Sequence, residues 1–246
     1  MAIPLEQHQT EIQQNLRRWE AKPLLRQIYA GFYERIVALV DEQVSGKIVE
    51  VGSGIGNLKS RLPHALTTDL FPNPWLDLVC DGYDLPFRDG EVSHLVLFDV
   101  FHHLEAPNAF LKEARRVLVP AGRLILFEPF ISVCSHPVYG LLHHEPVAMN
   151  QAINLTHEFP RSRGYYAAQG NATRLCFRRE LPDWPVGWKV LHKEAFSAFH
   201  YLLSGGFSKP AFYPLGLLPI MRRMDAALSR FPAVFGGRCL VVLQPA

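Results

Sequence analysis

The sequence predicts an α/β fold, a largely parallel sheet with helices on both faces. Three observations carry this. Apolar strand-like stretches alternate with turns and helical stretches from residue 47 to residue 129, the order that builds a parallel sheet. One of them, Val92–Phe98, is nearly apolar throughout, as a strand covered on both faces must be. Five strand ends carry a glycine or an acid, namely Gly52, Asp69, Asp81, Asp99 and Glu128. In open sheets ligands bind beyond these carboxyl ends, at the switch point in strand order.

Composition narrows the class. At 246 residues with a formal charge of +2, the chain suits one α/β domain with insertions and gives no electrostatic argument for nucleic acid. Cys80, Cys134, Cys176 and Cys239 form no Cys-x-x-Cys pair, so they read as reduced thiols in a cytoplasmic protein rather than a disulfide frame or zinc site. The amino terminus has no basic region followed by an apolar run, hence no signal peptide is expected. No apolar run reaches the length of a membrane span; residues 195–221 come nearest and are broken by Lys209, Pro210, Pro214 and Pro219.

Taken in order, residues 10–44 predict an amphipathic helical layer, with Leu16, Trp19, Leu24, Leu25, Ile28, Phe32, Ile36 and Leu39 at near-helical spacing and Pro23 dividing two helices. This layer packs on the sheet, or Arg26, Tyr29 and Tyr33 form a lid over the turn that follows. Ile48–Val51 is the first strand. It runs into Gly52-Ser-Gly-Ile-Gly56, where residues without a Cβ let the chain turn sharply and a ligand approach. A helix is expected over Asn57–Leu62, ended by Pro63. Ala65–Thr68 is the second strand. Asp69 then stands where a ribose-binding acid follows a glycine turn; as a helix cap it would be ordinary. Leu78–Cys80 is the third strand and Asp81-Gly82 follows, where a carboxylate can accept from an exocyclic amine. Val92–Phe98 is the fourth, Pro107–Val119 a helix, Pro120-Ala-Gly122 a turn and Arg123–Phe127 the fifth strand. Residues 130–187 are too long for a simple connection and predict an inserted cap ending in a helix around Asn171–Leu181. Trp188–Leu191, a helix over Leu217–Arg230 and the strand Arg238–Leu243 complete one domain, divided as helical layer 1–44, ligand-binding core 45–129, cap 130–187 and carboxyl-terminal part 188–246.

Val49-Glu-Val-Gly-Ser-Gly-Ile-Gly56, Thr68-Asp69, Asp81 with Leu85-Pro-Phe87, Phe98-Asp-Val-Phe-His-His-Leu104 and Glu113-Ala-Arg-Arg-Val-Leu118 resemble the type 11 group of class I S-adenosylmethionine (SAM)-dependent methyltransferases. The resemblance covers about a third of the chain. It implies a seven-stranded Rossmann-like sheet with strand seven antiparallel at the far side, and SAM as cofactor. It also implies that Glu50, Gly52, Ser53 and Gly54 frame the methionine part and that Asp69, with Leu70, holds the ribose. Asp81 and Gly82 would take the adenine, and Phe98, Asp99 and His103 the sulfonium side. Pro120-Ala-Gly122 departs slightly from the family's Pro-Gly-Gly turn. Tyr201-Leu-Leu-Ser-Gly-Gly-Phe207, with Trp19, Lys22-Pro23 and His143-His-Glu-Pro146, resembles methyltransferases found with envelope-polysaccharide biosynthesis.

The candidate catalytic residues are His102, His103, His143, His144 and Glu145. Histidine has the ordinary pKa to take a hydroxyl proton; the same rings could instead pack under the cofactor or cap a helix. No metal site is expected, because adjacent ligands such as His143 and His144 seldom converge on one ion. Arg161, Arg163 and Arg174 could bind an acceptor phosphate or carboxylate, or form a solvated basic loop. Methyl transfer is an in-line displacement from an already activated cofactor, so alignment and exclusion of water matter more than a strong base. The expectation is O-methylation of a small-molecule or saccharide-like acceptor. A SAM-binding adaptor without turnover is the alternative. A nicotinamide oxidoreductase is a further one, disfavoured by Asn57 where the dinucleotide motif wants glycine and by Glu50 against a pyrophosphate.

Overall fold

The computed structural model describes residues 5–142, 145–159, 166–178 and 184–246. A seven-stranded sheet organises them, in the order β3-β2-β1-β4-β5-β7-β6. Its strands are β1 (Lys47–Val51), β2 (Leu66–Asp69), β3 (Leu78–Val79), β4 (Val92–Phe98), β5 (Leu118–Pro129), β6 (Trp188–Ser197) and β7 (Gly236–Pro245). The first five are parallel. The chain order reverses direction across the sheet between β1 and β4, the switch point where a ligand crevice opens. β7 runs antiparallel between β5 and β6. Strand seven thus lies antiparallel on the far side of the sheet as expected, with β6 at the edge.

Helices cover both faces because residues alternate along each strand. Val49, Val51, Leu95, Leu97, Leu124, Leu126, Val241 and Leu243 point to one side. There they pack on α3 (Pro107–Val117) through Phe110, Leu111, Ala114 and Val117. Val96, Ile125, Phe127, Leu240 and Val242 point to the other side. They meet Leu24, Leu25, Ile28, Phe32 and Ile36 of the amino-terminal layer, which is α1 (Leu5–Ala21) and α2 (Pro23–Val37). Pro23 opens α2, where its missing N–H costs nothing. The remaining helices are α4 (Ser135–Leu142), α5 (Phe199–Leu202), α6 (Leu218–Leu228) and α7 (Pro232–Phe235).

Four local expectations change. The helix expected at Asn57–Leu62 is a single 3₁₀ turn, Asn57–Ser60. The expected turn at Pro120-Ala-Gly122 lies within β5: Val92 faces Leu118 and His94 faces Arg123, so residues 119–122 bulge opposite Ser93. β6 extends to Ser197, held along its length by β7; exposed Val190 and Leu191 hide any inward-outward pattern on this edge strand. The cap's closing helix reduces, among the described residues, to a π-helical turn at Thr173–Phe177.

Candidate active site

One cavity of about 740 Å³ opens at the carboxyl ends of the strands, within the size range of ligand pockets. At one end β1 delivers Glu50. Its carboxylate is buried, and Oε2 has no hydrogen-bond partner among the described residues. Burial, with the Asp69 charge adding to it, pushes its pKa up to about 8. A buried polar atom without a partner at a cavity wall marks a place for a ligand donor. Ser53 ties the glycine turn to β2: its N–H donates to the Thr68 carbonyl, and its Oγ accepts from the Thr68 N–H.

The glycines divide their work. Gly52 has φ +73, and a Cβ there would meet Val100 Cγ2 at 2.4 Å. Its bare backbone thus makes room for Val100, while Gly52 also lines the cavity. Gly54 has φ +52 with nothing within 4 Å of a Cβ position, and it faces the cavity. Its N–H donates to Asp69 Oδ2 at 3.0 Å. That bond holds the carboxylate at the cavity wall with lone pairs to spare for ribose hydroxyls. Asp81 accepts from the Tyr83 N–H; it lines the cavity with Gly82 and Leu70. A cation-bearing, ribose-bearing ligand fits this donor and acceptor set, so SAM is compatible with the residues present.

The other end is built by β4 and β5. Glu128 is fully buried. Its Oε1 accepts from the Val100 and Phe101 N–H groups, and its Oε2 lies 2.6 Å from His102 Nδ1. Nδ1 therefore carries a proton, and Nε2 faces Glu145 Oε2 at 3.4 Å. Burial opposes charge on His102, but Glu128 and then Glu145 outweigh it and push its pKa up to about 10. His103 donates from Nδ1 to the Tyr166 carbonyl at 3.0 Å, which leaves the Nε2 lone pair facing Glu145 Oε1 at 3.5 Å. Burial, then the His102 charge, push His103 down to about 4. Gln169 donates to Glu145. The trio thus joins a charged ring, a neutral ring and a carboxylate. Its ligand atoms lie within 4.8 Å of one another and could hold a divalent cation, as could those of Asp99, His102 and Glu128.

An aromatic wall joins the two ends. Phe98 stacks on Phe127 at 4.8 Å, with Tyr29 and Tyr33 against its other contacts. Arg238 is buried, ion-paired with Asp99 and 4.3 Å from the Tyr201 ring centroid. Asp99 adopts φ +57 at the end of β4. The Asp99 carboxylate is therefore matched by Arg238, which leaves the backbone and the Phe98 ring as that segment's share of the wall. At the mouth, Trp19 stacks on Phe207 and Lys22 Nζ donates to the Gly206 carbonyl at 2.6 Å. These separately noted pieces of sequence meet there.

The structure brings Glu50, Gly52, Ser53, Gly54, Asp69, Leu70, Asp81, Gly82, Phe98, Asp99, His102, His103 and Glu145 to one cavity. His143, His144, Arg161 and Arg163 lie outside the described residues. Arg174 donates to the Ala148 and Gln151 carbonyls, a structural brace for the cap. Arg26 donates to the Trp19 and Glu20 carbonyls and caps α1; it takes no part in a lid, whereas Tyr29 and Tyr33 line the cavity. Sequence reasoning gave no role to Arg238, whose one signal was a lone cation opening an apolar strand. It noted Glu128 only as a strand end.

Residues 49–126 match the model of a methyltransferase domain. Probable tRNA methyltransferase 9B of Bos taurus is 27% identical over 121 residues, which is 43% of this chain and 26% of that protein. The human protein of the same name is 26% identical over the same length. The chain spans about a quarter of the length of these curated relatives. Two solved structures share the fold. Geranyl diphosphate C-methyltransferase of Streptomyces coelicolor has a TM-score of 0.50 and 13% identity, covering 89% of this chain and 79% of that one. A SAM-dependent methyltransferase of Thermotoga maritima has a TM-score of 0.50 and 14% identity, covering 94% of each chain.

Proposed function

We propose, from the premise that the chain carries a class I SAM-dependent methyltransferase domain with the Rossmann-like fold of that class, that it methylates an oxygen of a small-molecule or saccharide-like acceptor. The observation that supports this reading is the sharing of one cavity by two distinct sets of groups. Glu50, Gly54, Asp69 and Asp81 form a cofactor end, and His102, His103 and Glu145 form an end fit for a hydroxyl and its proton.

SAM, when bound, supplies an activated methyl group. Glu50 receives an ammonium, Asp69 the ribose hydroxyls, and Asp81 with Gly82 the adenine edge. The aromatic wall of Tyr29, Tyr33 and Phe98 excludes water, as a displacement at carbon requires. His103, neutral and oriented by the Tyr166 carbonyl, accepts the hydroxyl proton at Nε2. Glu145, 3.5 Å away, stabilises the imidazolium that results. Glu128 holds His102 in register, and His102 Nε2 lies 3.4 Å from Glu145 Oε2. His143 and His144, which precede Glu145 in the sequence, are further candidates for a role towards the acceptor.

A saccharide of the kind used in envelope-polysaccharide assembly falls within this acceptor class. The relatives' name raises tRNA, but a net charge of +2 gives no overall electrostatic argument for a phosphate backbone. Four free cysteines among the described residues fit a reducing, cytoplasmic setting. The test is calorimetry with SAM and its demethylated product, then mass-spectrometric detection of methyl transfer across hydroxyl, amine and carboxylate acceptors. Binding with turnover on a hydroxyl is expected. Binding without turnover on any class would favour the adaptor reading, and no heat with either ligand would overturn the cofactor assignment.

A further inference from the structure

Residues 195–221 came nearest to a membrane span in the sequence yet are interrupted. The structure lays the second half of this stretch and α6 on the surface beside the cavity mouth. Phe212 is 71% exposed, Ile220 61% and Phe231 62%. Leu215, Leu217 and Met224 are exposed with them. Leu218 and Asp225 form the inward face of α6. Leu217, Ile220 and Met224 recur at i, i+3 and i+7, which puts them on one stripe of the helix. A helix stripe of exposed large apolar side chains is the kind of surface that marks an interaction site.

The charge on this segment is one-sided. Residues 198–237 contain Lys209, Arg222, Arg223 and Arg230 and a single acid, Asp225. Asp225 is buried, with its carboxylate taken by the Ser197 hydroxyl, the Phe199 and His200 N–H groups and the His200 ring. The surface therefore offers apolar side chains and cations with no exposed acid among residues 198–237. An apolar stripe flanked by arginines is the composition that settles into the interface of an anionic bilayer. A protein partner or second copy would need acids facing these cations, and this face supplies none to itself.

We infer that the surface formed by residues 212–231 docks the protein on an anionic lipid surface. Phe212 and Lys209 also line the cavity mouth, so docking sets that mouth at the lipid–water boundary, where a lipid-borne acceptor could enter without crossing water. The docking goes beyond methyl transfer and stands independently of it.

The test is co-sedimentation of the intact protein with phosphatidylcholine vesicles, with and without phosphatidylserine. Calorimetry with SAM runs in parallel on every variant. The expected result is binding to the phosphatidylserine vesicles that weakens as salt rises. Ile220→Glu with Met224→Glu should lower the bound fraction roughly tenfold, and Arg223→Gln with Arg230→Gln should remove most of the preference for the anionic vesicles. All these side chains are exposed and outside the cavity, so circular dichroism and SAM affinity should stay at wild-type values. Absence of binding to either vesicle overturns the inference. So does a concentration-dependent dimer, seen by analytical ultracentrifugation, that Ile220→Glu dissolves; that result assigns the face to a second copy. Loss of SAM binding by the wild type would strike the proposed function and leave the lipid result standing.

Discussion

Replacing Glu50 by glutamine should change how SAM affinity depends on pH more than it changes affinity itself. In the ligand-free protein Glu50 titrates near 8, so at pH 7 it is about nine-tenths protonated. An ammonium at Oε2 needs the carboxylate. Binding should therefore release about 0.9 proton at pH 7 and tighten almost tenfold per pH unit between about pH 5.5 and 7. Deprotonating the group at pH 7 costs about 1.4 kcal/mol, set against the roughly 1.5–3 kcal/mol of a charge-assisted hydrogen bond. Glu50→Gln should thus weaken binding by no more than about fifteenfold at pH 7, with a flat pH profile and no proton release. Isothermal titration in two buffers of different ionisation enthalpy reads the proton count directly. The unliganded protein gives a second readout. Because the folded pKa lies above the ordinary value of 4.5, the stability contributed by protonated Glu50 is fully present below pH 4.5. It is lost as pH rises through about 8, so Glu50→Gln should melt higher than wild type at pH 8. A wild-type Kd that does not move across the window, or a slope that survives in Glu50→Gln, would refute the placement of the ammonium.

The other predictions follow from the same geometry. Asp69→Ala should cost SAM affinity roughly 1.5–3 kcal/mol with unchanged circular dichroism; wild-type affinity in calorimetry would remove Asp69 from the ribose site. Gly52→Ala should lower the melting temperature, since the left-handed backbone alone costs about 1–2 kcal/mol before the Val100 contact; a melting curve like the wild type's would contradict it. Glu128→Gln strips His102 of its main partner and should destabilise the fold by roughly 3–5 kcal/mol. The raised His102 pKa contributes stability that is fully present below pH 6.5 and lost as pH rises through about 10, so the difference between the two proteins should shrink towards pH 10, as thermal melts can record. Chelator-treated protein should bind SAM like untreated protein, because none of Glu50, Gly54 and Asp69 belongs to the two groups that could hold a cation.

The cofactor end was readable because its chemistry is local in sequence. Gly54 and Asp69 close on each other through one hydrogen bond, and both follow from strands, β1 and β2, that apolar patterning had already located. The acceptor end was only half readable. His102 and His103 announced themselves, but nothing in sequence says that Glu145, from a cap without periodic pattern, reaches both Nε2 atoms. Arg238 was hidden for a related reason: in an apolar strand a single cation looks like an end residue until Asp99 and Tyr201 are seen around it. The full length of β6 was invisible because an edge strand with exposed Val190 and Leu191 lacks alternation, and its pairing with β7 decides its extent.

The pairing of charges gives the cavity its chemical character. Asp99 is matched by Arg238 and Glu128 by His102, while His103 and Glu50 are neutral at pH 7 in the unliganded protein. Glu145 shares the His102 charge at 3.4 Å. Among the described acceptor-side groups, few charges remain unmatched, and the wall between the two ends is Tyr29, Tyr33 and Phe98. Aromatic faces attract a cation without giving it an anion to pair with. Such a wall can hold a cationic centre while leaving it poorly solvated, and a reaction that disperses that charge gains from the low local polarity. Under the proposed methyl transfer, the protein's contribution to rate would lie in keeping its own charges in pairs, with Arg238 neutralising Asp99 at the cavity wall.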